Sequence, residues 1–518
     1  MRIRMNGNKG FSDTHWLERL AQRVAEERTE PFAITAGITT SGPAHLGTIG
    51  EFLYSGIVRD MLAAGGRSAT FHFIGDILDA FDSIPADMAV YEGALRAQLG
   101  KPLCRVADPM GCHGSFGAHY LAQVEDAISL LGVNAAVVTV DRLYADGAFD
   151  AYAELYLRNE ETVKRIVAET SLRQMESMSA WSPIMPICGN CGRIATTRVT
   201  GHDGLSYSYT DDRDVGYTSG CGFSGANALS DHLYKLQWRL HWPSWQAHFN
   251  SCLEGSGVDH MTKGGSASTA IAIHRRVLHT EPPILYKYGF VMLHGQKYSK
   301  SKGIGVTAPE LVRLMPPALV RYVLIQPYAE QNKEIDPTGD RLIALYNEVE
   351  RINAMDDTVS RADAKKRRAL RIAAGGALRW RAHFVDMLLL YQIYRDWNTV
   401  GARLGDPEGV RYLSQYIGHW LATGLEPERY NFTIRPTKIG EPRHAVEAFA
   451  ARLSESLSEE DLHNLVYAVA AEEGVDPGVL FKQLYTALIG KDNGPRMGRL
   501  LASLGAKRVG EILAYALG

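Results

Sequence analysis

Two donor-rich segments of this chain are suited to anionic phosphate ligands. The first, Thr39-Thr40-Ser41-Gly42-Pro43-Ala44-His45-Leu46-Gly47-Thr48, lies between a predicted strand and a predicted helix. Such a turn places backbone N–H groups and the positive end of a helix beside any phosphate. Gly42 and Gly47 let the backbone approach a ligand closely, and His45 adds a donor that can meet charge developing on phosphate oxygens. The plain alternative is a turn whose histidine only packs. About 250 residues later comes Gly295-Gln296-Lys297-Tyr298-Ser299-Lys300-Ser301-Lys302-Gly303. Lysines, small hydroxyl residues and flanking glycines make a cationic loop that suits closure over a triphosphate and its leaving pyrophosphate. A solvated lysine loop is the competing reading. The order of the two segments, each fitted to the surrounding α/β pattern, favours chemistry.

Cys188-Gly189-Asn190-Cys191-Gly192 has the spacing of half a zinc knuckle. The remaining cysteines do not extend it by spacing: Cys104, Cys112 and Cys252 are read as buried or surface thiols. Six cysteines in 518 residues do not form a disulfide framework.

The elements that must hold these residues follow from hydrophobic periodicity. An amphipathic helix is predicted over Asp13–Glu27, a buried strand over Pro31–Ile38, a helix over Glu51–Ala64 and a strand over Ser68–Ile74. Another buried strand is expected at Val137–Asp141, then a helix-rich stretch from Gly147 to Met178. This alternation is that of a parallel α/β sheet. Between Trp181 and Ser230 the chain turns rich in Gly, Cys, Thr and Tyr, the pattern of an insertion built from hairpins. The α/β pattern resumes to about Gln326, and from Ile343 onward nearly everything reads as helix. Ser458 with Asp461 three residues on is a capping-box-like helix start. The expected layout is residues 1–180 and 231–335 as two halves of one catalytic domain, 181–230 as the inserted knuckle, and 336–518 as a helical region.

Composition narrows the class without naming it. The length calls for roughly three or four domains, and 46% hydrophobic with 22% charged residues is a globular balance. Met1–Gly10 lacks the apolar core of a signal peptide and no run reaches the length of a spanning helix, so a cytoplasmic protein with no membrane partner is expected. A net charge of -3 does not exclude nucleic acid, whose phosphates are met by local basic patches.

Taken together, the two segments resemble the HIGH and KMSKS signatures of class I aminoacyl-tRNA synthetases. More narrowly the chain is similar to the class I type of lysyl-tRNA synthetase. Lys235-Leu236-Gln237-Trp238-Arg239, Trp242-Pro243, Gly257-Val258-Asp259-His260, Gly264-Gly265-Ser266, Arg321-Tyr322-Val323-Leu324 and Gly494-Pro495-Arg496-Met497-Gly498 carry that likeness. The resemblance implies a Rossmann-type catalytic core, a zinc-knuckle-like insertion and an all-α carboxy-terminal tRNA-binding region. It implies an ATP- and tRNA-dependent ligase in which Ser41, Gly42, His45, Gly47, Gly257, Asp259, Lys297, Ser299 and Lys300 bind ATP, with Mg²⁺ on the triphosphate. His45, Lys297 and Lys300 would be catalytic. Asp76, Trp242 and Glu254 would line the amino-acid pocket, lysine being the expected substrate and a monomer the expected state. The family carries a second Cys-x-x-Cys pair. Here it reads Thr218-Ser219-Gly220-Cys221, so Zn²⁺ on Cys188, Cys191 and Cys221 stays open, with His202 as a further donor and a metal-free knuckle as the alternative. The run Lys365-Lys366-Arg367-Arg368 suits contact with a tRNA backbone or a solvated helix face. Thr48, Gly75-Asp76-Ile77-Leu78-Asp79 and Val258 depart from the family pattern. They motivate a second reading, a diverged paralogue that activates another amino acid. A non-catalytic RNA-binding scaffold is a third, opposed by the retained Lys297 and Lys300.

Overall fold

In the computed structural model of the chain, the residues described are 14–293, 296, 297, 307–355 and 360–518. They divide into two compact units. The first holds residues up to Val312 with Val320–Ile335 and Ser360–Ala373; the second holds Arg313–Leu319, Asp336–Val359 and Ala374–Gly518.

The first unit opens with α1 (Trp16–Glu27), capped by His15, whose ring accepts the Leu17 N–H while Glu18 accepts the His15 N–H. Then come β1 (Phe32–Thr39), α2 (Leu46–Ala64), β2 (Ala69–Asp76), the short α3 (Glu92–Arg96), α4 (Phe116–Leu130) and β3 (Ala136–Thr139). The strand expected to run to Asp141 stops at Thr139 and α5 (Val140–Ala145) begins. Val140 and Tyr144, one helical turn apart on α5, bury in one apolar cluster. Helices α6 (Asp150–Arg158) and α7 (Glu160–Ser171) follow.

The hairpin segment comprises β4 (Ile184–Pro186), β5 (Thr197–His202), β6 (Ser206–Asp211), β7 (Ser224–Ala228) and β8 (Tyr234–Leu236). Strands β5, β6 and β7 form one antiparallel sheet, and β4 pairs with β8. The α/β run then returns as α8 (Trp238–His248), β9 (Ser251–Gly257), α9 (Ser266–Ile273) and β10 (Ile284–Tyr288).

The main sheet has the order β10-β9-β1-β2-β3, every neighbour parallel. The chain steps from β1 outward through β2 to β3, then crosses to β9 and β10 on the other side. The strand order therefore reverses between β1 and β9, and ligands of such sheets bind outside the strand carboxyl ends at that reversal. Past β10 lie β11 (Val291–Leu293), β12 (Gln296–Lys297), α10 (Ala308–Leu314), α11 (Pro317–Ile325) and β13 (Lys333–Glu334), with β11 between β12 and β13.

The second unit is helical. Helix α12 (Gly339–Ala354) precedes α13 (Arg361–Ala374), most of which counts with the first unit. Then follow α14 (Phe384–Tyr394), α15 (Trp397–Leu404), α16 (Pro407–Ala422), α17 (His444–Ala451), α18 (Glu459–Glu472), α19 (Pro477–Ile489), α20 (Met497–Leu504) and α21 (Ala506–Leu517). Fully buried Val466, Leu484, Leu488, Leu500, Val509 and Leu513 form the core of its last helices. The capping box at α18 is present: the Ser458 hydroxyl accepts the Asp461 N–H at 3.1 Å and the Asp461 carboxylate accepts the Ser458 N–H at 3.0 Å. Among the described residues no helix is long and apolar enough to cross a membrane.

Candidate active site

His45 stands at the amino end of α2 with an extended backbone, and its ring makes no capping hydrogen bond. The first turn of α2 holds no acidic residue, so nothing there offsets the positive helix end. A side chain on Gly47 would begin 2.8 Å from the His45 ring, so this position must stay small for the ring to lie where it does. Helix α4 braces the turn: the Thr40 hydroxyl donates to the Gly117 carbonyl at 2.9 Å, and the Ala44 N–H to the Gln123 side chain at 3.1 Å. Ser41 and Gly42 follow the carboxyl end of β1, while Gly257 ends its neighbour β9 and Asp259 lies in the short turn beyond. Among the described residues, none beyond its chain neighbours comes within 4 Å of where a Gly257 side chain would start.

Tyr298, Ser299 and Lys300 lie outside the described residues, as does the side chain of Lys297, whose backbone pairs with Met292. The far end of the same segment is informative. Thr307 makes an antiparallel bridge with His45, and the Ala308 N–H donates to the Ala44 carbonyl at 2.8 Å. Two stretches far apart in the sequence thus meet backbone to backbone at the carboxyl end of β1.

Asp76, Trp242 and Glu254 fall in one buried polar layer between α8 and a face of the sheet. Thr35, Gly37 and Thr39 share that face of β1. Glu254 on β9 accepts from the Trp242 indole at 3.0 Å, the Trp245 indole at 3.1 Å, Gln246 at 2.7 Å and Thr35 at 2.9 Å. Burial pushes its carboxyl up to about 7 in spite of these four donors. A side chain on Gly37 would start 2.7 Å from the Ile74 carbonyl and 3.2 Å from the Trp245 ring, so the layer closes over a bare backbone there. At its other end Lys235, fully buried, donates to Asp76 at 2.6 Å and also to Asp79, which in turn accepts from Thr39 at 2.7 Å. Burial disfavours the Lys235 charge, but Asp76 and Asp79 outweigh it and hold the ammonium above the ordinary lysine range. His241 is kept far below its usual range by burial and by Lys235, hence neutral beside Asp76.

The three residues expected to line an amino-acid pocket are thus each at most 2% exposed, with their polar atoms engaged by the protein itself. They form a floor. Above it, at the carboxyl end of β9, Trp238 stacks on Trp242 at 5.7 Å and 8°, and His260 sits 5.9 and 5.8 Å from the two rings, its Nδ1 2.7 Å from the Ser266 hydroxyl. Trp238, His260 and Lys235 belong to the stretches that carried the family resemblance, but no spacing rule singled them out. Only the fold puts them together.

The knuckle brings Cys188, Cys191, Asp211 and Cys221 together, with one donor atom each and all within 4.8 Å of one another. Cys188 and Cys221 are 3.7 Å apart at sulfur, and Cys191 lies 3.0 Å from Asp211. Asp211, at the end of β6, thus joins the three cysteines in a group of four possible donors, of which Thr218 is not a member. His202 points elsewhere, 2.9 Å from Glu160. Asp211 was missed because it lies twenty residues past Cys191, across β5, and is not a cysteine or histidine.

Comparison with known proteins gives the family. Residues 14–375 match a family described as tRNA synthetases class I (K), and residues 422–517 match one described as anticodon binding domain. The lysine-tRNA ligase of Archaeoglobus fulgidus is 30% identical over 526 residues, covering 97% of this chain and 100% of that one. The lysine-tRNA ligases of Methanosarcina barkeri (strain Fusaro) and Thermococcus kodakarensis are each 28% identical, over 95% of this chain and 96% and 97% of theirs.

Proposed function

This chain belongs to the family of class I tRNA synthetases of the lysine type, and from that premise we propose that it is a lysine-tRNA ligase. The carboxylate of lysine attacks the α-phosphorus of ATP, pyrophosphate leaves, and the 2′-hydroxyl of the tRNA's terminal adenosine then displaces AMP. The observation that carries the ATP half is the junction of Thr307 and Ala308 with His45 and Ala44, which ties the end of the lysine-rich loop to the phosphate turn. In this reading Ser41, Gly42, His45 and Gly47 hold the phosphates, and Gly257 and Asp259 face the ribose. Lys297, Ser299 and Lys300 close over the triphosphate with its Mg²⁺. Catalysis rests on positioning and charge stabilisation. The substrate's side chain lies against Trp238 and His260, over the floor built from Glu254, Trp242 and Asp76. The relatives named lysine-tRNA ligase support lysine. Cys188, Cys191, Asp211 and Cys221 would hold a structural Zn²⁺, whose four protein ligands leave no open position for catalysis. A cytoplasmic, monomeric enzyme completes the reading.

Pyrophosphate exchange measured with each of the twenty amino acids, with and without total tRNA, tests it. Exchange with lysine alone, followed by charging of tRNA, is expected. Exchange with another amino acid would instead favour a diverged paralogue, a reading motivated by Lys235, an internal ammonium that already satisfies Asp76 and Asp79. His45→Ala should lower the exchange rate by the equivalent of about 3 kcal/mol if the imidazole meets the phosphates.

A further inference from the structure

Ser266 opens α9 with its side chain turned inward, the residue being 4% exposed. Among the described residues its hydroxyl has two partners. The Trp238 indole N–H donates to it at 3.3 Å, and His260 Nδ1 lies 2.7 Å away. An indole nitrogen only donates, so the hydroxyl proton cannot go there. If Nδ1 carried the imidazole proton, it too would point at the Ser266 oxygen, and a buried hydroxyl proton would be left without an acceptor. Buried polar groups rarely bear that loss. Every group is satisfied in one direction: Trp238 N–H to Ser266 Oγ, then Ser266 O–H to His260 Nδ1.

The turn that presents Ser266 is held from α8. Arg239, next to Trp238, donates to the Gly264 carbonyl at 2.7 Å, the Gly265 carbonyl at 3.1 Å and the Thr269 hydroxyl at 2.8 Å. A side chain on Gly265 would start 2.3 Å from the His260 carbonyl, so the turn folds directly onto the residue whose ring it meets. Two consecutive residues of one helix thus fix where the Ser266 oxygen sits. Burial holds the His260 imidazole below its ordinary range, Asp259 opposing the effect and Arg239 adding to it. The ring is therefore neutral at pH 7, with its one proton on Nε2. His260 is exposed, and no described residue accepts a hydrogen bond from that nitrogen.

We propose that Ser266 is a positioning residue for His260: it fixes the Nε2–H form of the ring, whose edge then donates to the carboxylate of the bound amino acid. The substrate half of this proposal rests on the lysine-tRNA ligase reading. Lysine brings two ammonium groups, which only donate, and one carboxylate, which only accepts and becomes the carbonyl of the adenylate. A donor edge suits the carboxylate and disfavours either ammonium. His260 directly follows Asp259, read above as facing the ribose, at the carboxyl end of β9 where the carboxylate has to meet the nucleotide. The faces of His260 and Trp238 stay available to the methylenes of the side chain. Ser266 belongs to a stretch that carried the family resemblance, but its sequence context gave it no role; only the fold sets it between the indole and the imidazole.

Ring-nitrogen NMR of the full chain carrying isotopically labelled histidine reads the tautomer with no substrate present, His260 being assigned by its loss in His260→Gln. At about pH 7.5 the wild type should show the Nε2–H form; a proton on Nδ1 would overturn the proposal. Ser266→Ala should let the Nδ1–H form appear, and Ser266→Thr, which keeps the hydroxyl, should hold the wild-type signal. A ring signal unmoved by Ser266→Ala would mean that something else sets the tautomer. In lysine-dependent pyrophosphate exchange, Ser266→Ala should raise the KM for lysine by about fivefold to tenfold, the worth of about one hydrogen bond, and leave the KM for ATP unchanged. A shifted tautomer with an unchanged lysine KM would remove the carboxylate contact, and an equal rise in both KM values would reduce Ser266 to a structural support of the turn. Absence of lysine exchange in the wild type would count against the ligase reading alone, since the NMR result does not depend on it.

Discussion

Among single residues, Glu254 and Lys235 have the most at stake, because both are charged groups buried against the same sheet face. Glu254 keeps its proton to about pH 7 in the fold, against an ordinary value of 4.5. A carboxyl raised in this way adds stability below its ordinary range and loses it as pH rises through about 7. The thermal midpoint of the wild type should therefore fall from about pH 5 to about pH 8 relative to that of Glu254→Gln, which cannot titrate. Parallel pH profiles would mean that Glu254 is ionised throughout and that its four donors outweigh its burial. Lys235 poses the complementary case. Lys235→Met strands Asp76 and Asp79 without a cation and should cost about 3–5 kcal/mol in the unfolding transition of the first unit. Asp76→Asn/Lys235→Met should regain a large part of that loss. If the double variant is as weak as the single one, packing around Lys235 matters more than its charge.

Secondary-structure elements were the scale at which the sequence was most legible. Periodicity located β1, α2, β2 and the helical carboxy-terminal half, because each buries an apolar pattern, whereas the hairpin segment stood out by its Gly, Cys, Thr and Tyr content. It missed the start of α5, because the β-branched run Val137-Val138-Thr139-Val140 reads as strand to its end. The strand-to-helix turn between β1 and α2 was legible because its residues are contiguous, from Thr39 to Thr48. Glu254, Trp242 and Asp76 were named together from the resemblance, but their burial with Lys235 as a closed polar layer was not legible, since the four come from β9, α8, β2 and β8. The knuckle's four-donor cluster was opaque as well, since its carboxylate, Asp211, lies across β5 from Cys188 and Cys191. One contact between elements is directly testable. The Ala308 N–H at the first position of α10 donates to Ala44, and proline is tolerated at that helical position. Ala308→Pro should thus keep α10 while deleting the tie to the phosphate turn. The expected result is an unchanged thermal midpoint with exchange slowed by roughly fivefold to tenfold, the worth of about one hydrogen bond. A normal exchange rate would show that the loop closes without this anchor.

For the molecule as a whole, an acidic chain has to hold a polyanion. Net charge is -3, so any affinity for tRNA depends on where cations cluster rather than on the total. The run on α13 is the densest in the sequence, but it is not uniformly available: Arg368 is already paired with Glu18 of α1. Lys365 is exposed on the same helix. If α13 lies along the tRNA backbone, binding should weaken steeply with added salt, since each phosphate contact releases a counterion. Lys365→Gln should then weaken binding of every tRNA alike and reduce the slope of log affinity against log salt by about one. Lysine-dependent pyrophosphate exchange without tRNA should be unaffected, because α13 has no part in the phosphate turn or the floor. An unchanged salt slope would assign the run to an ordinary solvated helix face. The phosphate contacts would then have to come from the region matched to the anticodon-binding family, residues 422–517, where Arg452, Arg496 and Arg499 already face Glu472 or Glu459.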